Sequence, residues 1–265
     1  MLSNQKATKN CGEKWRKTCL QNNKLLYGLK QSVRNWNQTL HDYLTGDGFS
    51  QSLADPCVYY KFVNGDRNKC IIMIIWVDDL IISASNSILL KGVKEGLCKH
   101  FRMKDLGILH WFLGIEFKCS DDEIEMSQSR YVEKILAKFE MTDCKPKKAP
   151  SLPEHDKLMC MDSPELEDPN LYRRVVESLI YIMTGTRQDL CYAVTKLSHY
   201  MSKPTVASLN AAKHVLRYLK GTPQLNLTFR KSENPLKLVG YSDSEWGGNA
   251  SDMKSISGYA FLCQR

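Results

Sequence analysis

The sequence predicts an α+β fold, with strands towards the front and helices behind. Three observations carry that expectation. Two apolar, β-branched runs, 70–77 and 80–84, flank the pair Asp78-Asp79, the pattern of a β-hairpin. Behind residue 129, four stretches repeat their apolar residues at helical spacing. Two strand-like runs, 236–242 and 259–263, follow the last of them. At 265 residues, with 43% hydrophobic and 25% charged, the chain suits one large domain or two small ones with a sizeable core.

Residues 1–22 show no apolar period and read as a disordered basic tail. Trp36, Leu40, Tyr43 and Leu44 then form one helical stripe, ended by Asp47-Gly48. Residues 58–63 read as a strand with a turn at Asn64-Gly65-Asp66. The hairpin around Asp78-Asp79 comes next, then a helix over 86–100. Residues 111–117 and 123–126 read as short strands around a turn at Ser120-Asp121-Asp122. Tyr131, Ile135, Leu136 and Phe139 stripe a helix, with Glu133, Lys134 and Lys138 off the stripe. The proline- and charge-rich segment 145–169 reads as a linker. Three helices follow, carrying Tyr172 to Met183, Leu190 to Met201 and Leu209 to Leu219 on their apolar faces. Pro204 and Gly221 bracket the last one. There is no internal repeat and no low-complexity segment.

The formal charge is +8, and it is unevenly placed. Residues 1–36 hold eight Lys/Arg against the single acid Glu13. A second basic group, Lys213, Arg217, Lys220, Arg230 and Lys231, has no acid between its members, whereas 154–168 is acidic. That asymmetry suits a polyanionic partner, and it also suits a solvated surface with a basic tail. Ten cysteines lie scattered with no Cys-x-x-Cys pair, which fits structural thiols in a reducing compartment rather than a disulfide framework. The N-terminal residues lack the apolar core of an export signal, and the most apolar run, 70–77, is too short to cross a bilayer. These features predict an intracellular protein that does not span a membrane, so the Asn-x-Ser/Thr matches at Asn37, Asn226 and Asn249 read as chance.

Asp78-Asp79 is the sharpest chemical feature. Adjacent carboxylates repel, and apolar flanks would desolvate them. Asp-Asp is also a poor hairpin turn compared with Asn-Gly or Asp-Gly. A bound Mg²⁺ would offset both costs, because it takes oxygen ligands and keeps several waters. Carboxylates at the tip of a rigid hairpin are what two-metal phosphoryl transfer requires. The residues alone leave a second reading open, a solvent-exposed turn with two ordinary acids.

The surroundings favour the first reading. Tyr27-Gly28-Leu29-Lys30-Gln31-Ser32-Val33-Arg34-Asn35-Trp36 precedes the hairpin Trp76-Val77-Asp78-Asp79-Leu80. Leu106-Gly107 and Trp111-Phe112-Leu113-Gly114-Ile115 follow, then Met126-Ser127-Gln128-Ser129-Arg130-Tyr131-Val132 and Leu219-Lys220-Gly221-Thr222. Gly240-Tyr241-Ser242-Asp243-Ser244-Glu245-Trp246 and Lys254-Ser255-Ile256-Ser257-Gly258-Tyr259 close the series. In this order and spacing the chain, from about Cys19 onward, resembles copia-type retrotransposon reverse transcriptases, with their connection segment and the opening of their ribonuclease H domain.

The resemblance implies an organisation of partial palm and thumb at 23–144, linker at 145–169, helical connection segment at 170–231 and the start of a ribonuclease H-like fold at 232–265. It implies that Asp78 and Asp79 are the catalytic, metal-binding pair of the palm, with Mg²⁺ or Mn²⁺ as cofactor. Gln31, with Lys30 and Arg34 beside it, would lie near the nucleotide and template. Trp111, Phe112, Leu113 and Gly114 would form the primer grip, and the 129–139 helix the thumb. Asp243 would be the first metal ligand of the ribonuclease H site, and the partner an RNA or DNA template-primer.

Several departures qualify those roles. The family carries another catalytic aspartate upstream of Tyr27-Gly28, but no aspartate precedes Asp42 in these residues. Trp76 replaces the family's usual tyrosine, and Val33 a common proline or alanine. The family's remaining ribonuclease H carboxylates would lie beyond Arg265. The sequence therefore predicts a remnant truncated at both ends and inactive alone, with residual nucleic-acid binding. The alternative is an active Mg-dependent polymerase once an upstream segment completes it.

Overall fold

The computed structural model describes residues 30–151, 163–232, 237–244, 255 and 257–264, the side chains of Lys30, Gln31 and Gln264 excepted. The basic tail inferred at 1–22 lies outside the described residues, as do Glu245 and Trp246. The described chain is mixed α+β, with three antiparallel sheets and six α-helices among those residues. It divides into two compact units, one ending at Lys104 and the other beginning at Asp105. The boundary thus falls between the helix that ends at His100 and the strand that begins at Trp111.

In the first unit, helix α1 (Lys30–Gly46) precedes strands β1 (Ser50–Gln51), β2 (Val58–Phe62), β3 (Cys70–Trp76) and β4 (Asp79–Ala84), and helix α2 (Ser87–His100) follows. The strands pair in the order β1-β2-β3-β4. The alternation of β3 sorts its side chains by face. Ile71, Met73 and Ile75 are buried with Leu40 and Leu44 of α1, Tyr59 of β2 and Leu97 of α2. Ile72, Ile74 and Trp76 stand exposed on the opposite face. Gly48, at φ 86, ends α1 with its N–H on the Thr45 carbonyl. Asn86 starts α2 by accepting from the Leu89 N–H at 2.9 Å.

The second unit begins with β5 (Trp111–Phe112), β6 (Ile115–Cys119) and β7 (Glu123–Ser127), followed by helix α3 (Ser129–Lys138). The run 111–117 is therefore two strands, broken at Leu113-Gly114. Helices α4 (Pro169–Gly185), α5 (Cys191–Ser198) and α6 (Val206–Gly221) pack with α3 around one core, in which Tyr172, Val176, Leu179, Val194 and Leu216 are fully covered. Asp168 caps α4 ahead of Pro169, and Thr205 with Ser208 closes a capping box on α6. Strand β8 (Leu227–Arg230), beyond the last of the three helices, then pairs with β7. Strands β9 (Lys237–Ser244) and β10 (Ser257–Gln264) form a separate antiparallel hairpin.

Both described ends of the 145–169 segment are docked. Residues 163–168 lie on the start of α6, with Leu166 N–H on the Pro204 carbonyl and Val206 N–H on the Pro164 carbonyl, each at 3.0 Å. At the other end, Lys147 N–H reaches the Arg217 carbonyl at 3.1 Å.

Candidate active site

The hairpin that carries the acidic pair turns one residue earlier than the sequence suggested. Trp76 pairs with Asp79, so the two turn residues are Val77 and Asp78, and Asp79 opens β4. Val77 has φ 56 and Asp78 is not in the positive-φ region. That combination is the sign pattern of a II′ turn, whose first position favours glycine. A β-branched residue there stores about 1–3 kcal/mol of strain, which the surroundings must hold in place. Trp36 of α1 is the visible holder. Its indole N–H donates to the Val77 carbonyl at 2.7 Å, and its ring meets Phe101 edge-on at 5.3 Å. Trp36 thus acts as a peg between α1 and the turn, a role no sequence pattern indicated.

Both carboxylates are exposed, so the expected desolvation by apolar flanks is not found: the apolar residues just before them, Trp76 and Val77, are themselves exposed. Cross-strand pairing puts Asp79 on the open face of the sheet with Trp76, which is 52% exposed. Replacing Trp36 with phenylalanine would keep the ring and lose the N–H. The expected outcome is a loosened turn, with amide order parameters at 77–79 falling from about 0.85 towards about 0.6 by NMR relaxation. Unchanged order in the Trp36→Phe variant would mean that the hydrogen bond does not hold the turn.

Oxygen donors of this kind suit a hard cation such as Mg²⁺. The donor count is small, because no cluster of three or more His, Cys, Asp or Glu suited to a metal occurs among the described residues. The sheet order ends on β4, so the outer edge of the strand that begins at Asp79 pairs with no described strand.

The remaining sites fall elsewhere. Lys30 and Gln31 open α1, their side chains lying outside the described residues, and Arg34 is exposed one turn on. In the second unit, Trp111 and Phe112 pair with Glu116 and Ile115 across the Leu113-Gly114 turn, where φ is 50 and 77. The Tyr181 hydroxyl of α4 donates to the Leu113 carbonyl, leaving no room for a Cβ at position 114. Arg130 lies over the Trp111 ring at 4.8 Å. Asp243 sits inside β9, opposite Gly258, rather than past its end, and is exposed.

The Met126 to Val132 motif is scaffold. Gln128 is buried, donating to the Tyr181 carbonyl at 3.4 Å and accepting from the Thr186 hydroxyl at 2.9 Å. A Cβ at position 185 would lie 2.5 Å from Gln128 Oε1, which explains the glycine there. Ser129 Oγ donates to the Pro223 carbonyl at 2.7 Å. Residues far apart in sequence meet at these bonds, so no local pattern could reveal them. The seven described cysteines, Cys57, Cys70, Cys98, Cys119, Cys144, Cys191 and Cys263, are free thiols. Among the described residues no helix is long and apolar enough to cross a membrane.

Comparison with known proteins agrees with the motifs. The family described as reverse transcriptase (RNA-dependent DNA polymerase) matches residues 6–153. The chain is 40% identical, over 89% of its length, to the retrovirus-related Pol polyprotein from transposon RE1 of Arabidopsis thaliana, of which it spans 16%. It is 37% identical over 71% of its length to an uncharacterised mitochondrial protein of the same plant, covering 76% of that protein. It is 31% identical over 89% of its length to a putative transposon Ty5-1 protein of Saccharomyces cerevisiae, again covering 76% of it. No solved structure matches the chain. The chain therefore belongs to the reverse transcriptase family of copia-type retrotransposon Pol polyproteins.

Proposed function

We propose that this chain is the part of a copia-type RNA-directed DNA polymerase that carries one half of a two-metal site, and that these residues bind nucleic acid without polymerising by themselves. The observation that carries the reading is the Asp78-Asp79 hairpin: exposed carboxylates on a strained turn, held by Trp36, beside a strand edge that pairs with no described strand. On this reading β1–β4 with α1 and α2 are palm, and the β5–β6 turn is the primer grip. Helix α3 is thumb, α4–α6 the connection segment, and β9–β10 the opening of a ribonuclease H-like fold.

Asp78 and Asp79 would hold Mg²⁺ or Mn²⁺, which in such sites neutralises developing phosphate charge and activates the attacking oxygen. Clamping two ions takes carboxylates from separate strands. Glu13 is the only acid ahead of Asp42, so the family's upstream aspartate has no counterpart among these residues, and on this reading the second strand's carboxylate comes from another segment. The outer edge of β4, which pairs with no described strand, is where such a strand can pair, since it would set its side chains against Asp79. Gln31 and Arg34 would face the nucleotide and template, and Asp243 would be one ligand of a second metal site.

Primer extension tests the reading. On a polyadenylate template with an oligothymidylate primer, no product is expected from the chain alone with Mg²⁺ or Mn²⁺. Extension that Asp78→Asn abolishes would overturn the requirement for a second strand. The companion reading, an active polymerase after completion, rests on the same open edge of β4. It predicts extension only when a polypeptide carrying the missing strand is added.

A further inference from the structure

We propose that the cavity between the 141–147 loop and α6 is a seat for the phosphodiester backbone of nucleic acid, a site separate from the acidic hairpin. The proposal rests on the nucleic-acid reading above. The cavity has a volume of about 460 Å³, within the range of small-molecule sites. Lys145, Lys147, Lys213 and Arg217 line it with Asn210 and His214, and no lining residue is acidic. None of the four cations has a carboxylate partner among the described residues.

The loop is held in this position by its backbone. Arg217 Nε donates to the Lys145 carbonyl at 2.7 Å, and Lys147 N–H donates to the Arg217 carbonyl at 3.1 Å. The Lys220 ammonium donates to the Thr142 carbonyl, and His214 Nε2–H donates to the Ala149 carbonyl at 3.0 Å. Gly221 lets the loop approach, since a Cβ there would lie 3.0 Å from the Lys147 carbonyl oxygen. These bonds occupy carbonyls, the Arg217 Nε, the Lys220 ammonium and His214 Nε2, and leave the ammonium groups of Lys145, Lys147 and Lys213 and the terminal guanidinium nitrogens of Arg217 to a ligand. Four like charges around one cavity repel one another, and an anion placed among them offsets that cost. Lysine point charges and one amide suit phosphate oxygens rather than base edges, so the site would position the strand without reading sequence.

The test is binding of fluorescein-labelled oligothymidylate by the full chain over a series of NaCl concentrations. Lys145→Gln, Lys147→Gln and Lys213→Gln together remove three charges and none of the loop's hydrogen bonds. This triple variant should flatten the slope of log K against log salt by about 2, each single-strand phosphate contact contributing about 0.7, and weaken binding by about tenfold or more. A matched triple, Lys91→Gln, Lys99→Gln and Lys203→Gln, takes the same charge from elsewhere and should leave the slope nearly unchanged. Equal flattening by both triples overturns the site while nucleic-acid binding stands. No oligonucleotide binding by the unsubstituted chain overturns the site and the nucleic-acid reading together. Capture by phosphatidylserine vesicles that the first triple abolishes, with oligonucleotide affinity unaltered, overturns the choice of ligand. Lys213→Glu supplies a second variant at an exposed position of α6; it should weaken oligonucleotide binding more than Lys203→Glu does, and equal effects would again overturn the site.

Discussion

Replacing Arg187 with methionine should cost the second unit about 3–5 kcal/mol, the usual penalty for breaking one side of a buried ion pair. Arg187 is 2% exposed. Its Nε and Nη2 grip both oxygens of Asp189 at 2.9 Å, and Nη1 and Nη2 donate to the carbonyl and hydroxyl of Thr222 at 2.9 and 2.8 Å. The Tyr218 hydroxyl completes the group by donating to Asp189 at 2.8 Å, with the guanidinium 5.3 Å from its ring. The network ties the 186–190 connection to the end of α6. Without Arg187, Asp189 keeps one donor and the Thr222 carbonyl loses its partner. Removing both charges, as Arg187→Met with Asp189→Leu, should recover part of the loss, because no unpaired carboxylate remains.

Hydrogen exchange of amides in α4 to α6 measures this directly, since two compact units make a single melting transition an unsafe gauge. A loss below about 1 kcal/mol would place the pair in the class of exposed ion pairs that contribute little. The same network sets a pH dependence. Burial pushes the Asp189 carboxyl up, but hydrogen bonds from Arg187 and Tyr218 and the Arg187 charge outweigh it, so the group titrates below its ordinary value of 3.8. A depressed carboxylate contributes its stability fully above the unfolded value and loses it as pH falls through the folded one. Exchange protection in α4–α6 should therefore hold above about pH 5 and decline in more acidic solution, less so in Asp189→Asn.

What the sequence made legible was whatever repeats locally. The stripe Trp36, Leu40, Tyr43 and Leu44 became α1, and the stripe at Tyr131 to Phe139 became α3, because a 3.6-residue period is written in neighbouring residues. The apolar runs beside the acidic pair became β3 and β4 for the same reason. The flanking apolar runs put the turn one residue too late, because the apolar Val77 belongs to the turn rather than to the strand, taking positive φ under the hold of Trp36, 41 positions away. Strand β8 was invisible because Leu227–Arg230 is short and gains its identity only by pairing with Met126 to Glu123. Arg187 stood in a segment with no motif, yet its partner Thr222 lies 35 positions on. The candidate site divides in the same way. The acidic pair is visible as two neighbouring residues, while its peg and the basic cavity exist only after distant segments have packed.

The hairpin β9–β10 should be the first described element to open, with amide exchange far faster than in α4–α6. Its strands pair over eight residues each, from Ser257 opposite Ser244 to Gln264 opposite Lys237, so the ladder itself is regular. What it lacks is cover. None of its described side chains is buried, and Leu238, Tyr241, Tyr259, Phe261 and Leu262 are exposed, Tyr259 by 80%. Phe261 folds over Gly240 and Tyr259 meets Phe261 at 5.9 Å, contacts made within the hairpin alone. Two strands without a packed face are marginally stable in water, and an uncovered edge with exposed aromatic residues pairs readily with other chains. Shortening the chain to end at Ser232 should therefore raise its solubility limit and leave exchange in α4–α6 unchanged. Amides at 237–244 that exchange as slowly as those of α6 would contradict this, as would lower solubility after shortening. Either result would mean that the hairpin is covered in solution. On the proposed reading of β9–β10 as the opening of a ribonuclease H-like fold, a polypeptide supplying further strands and helices of that fold would protect these amides, because it would bury the exposed faces of β9 and β10.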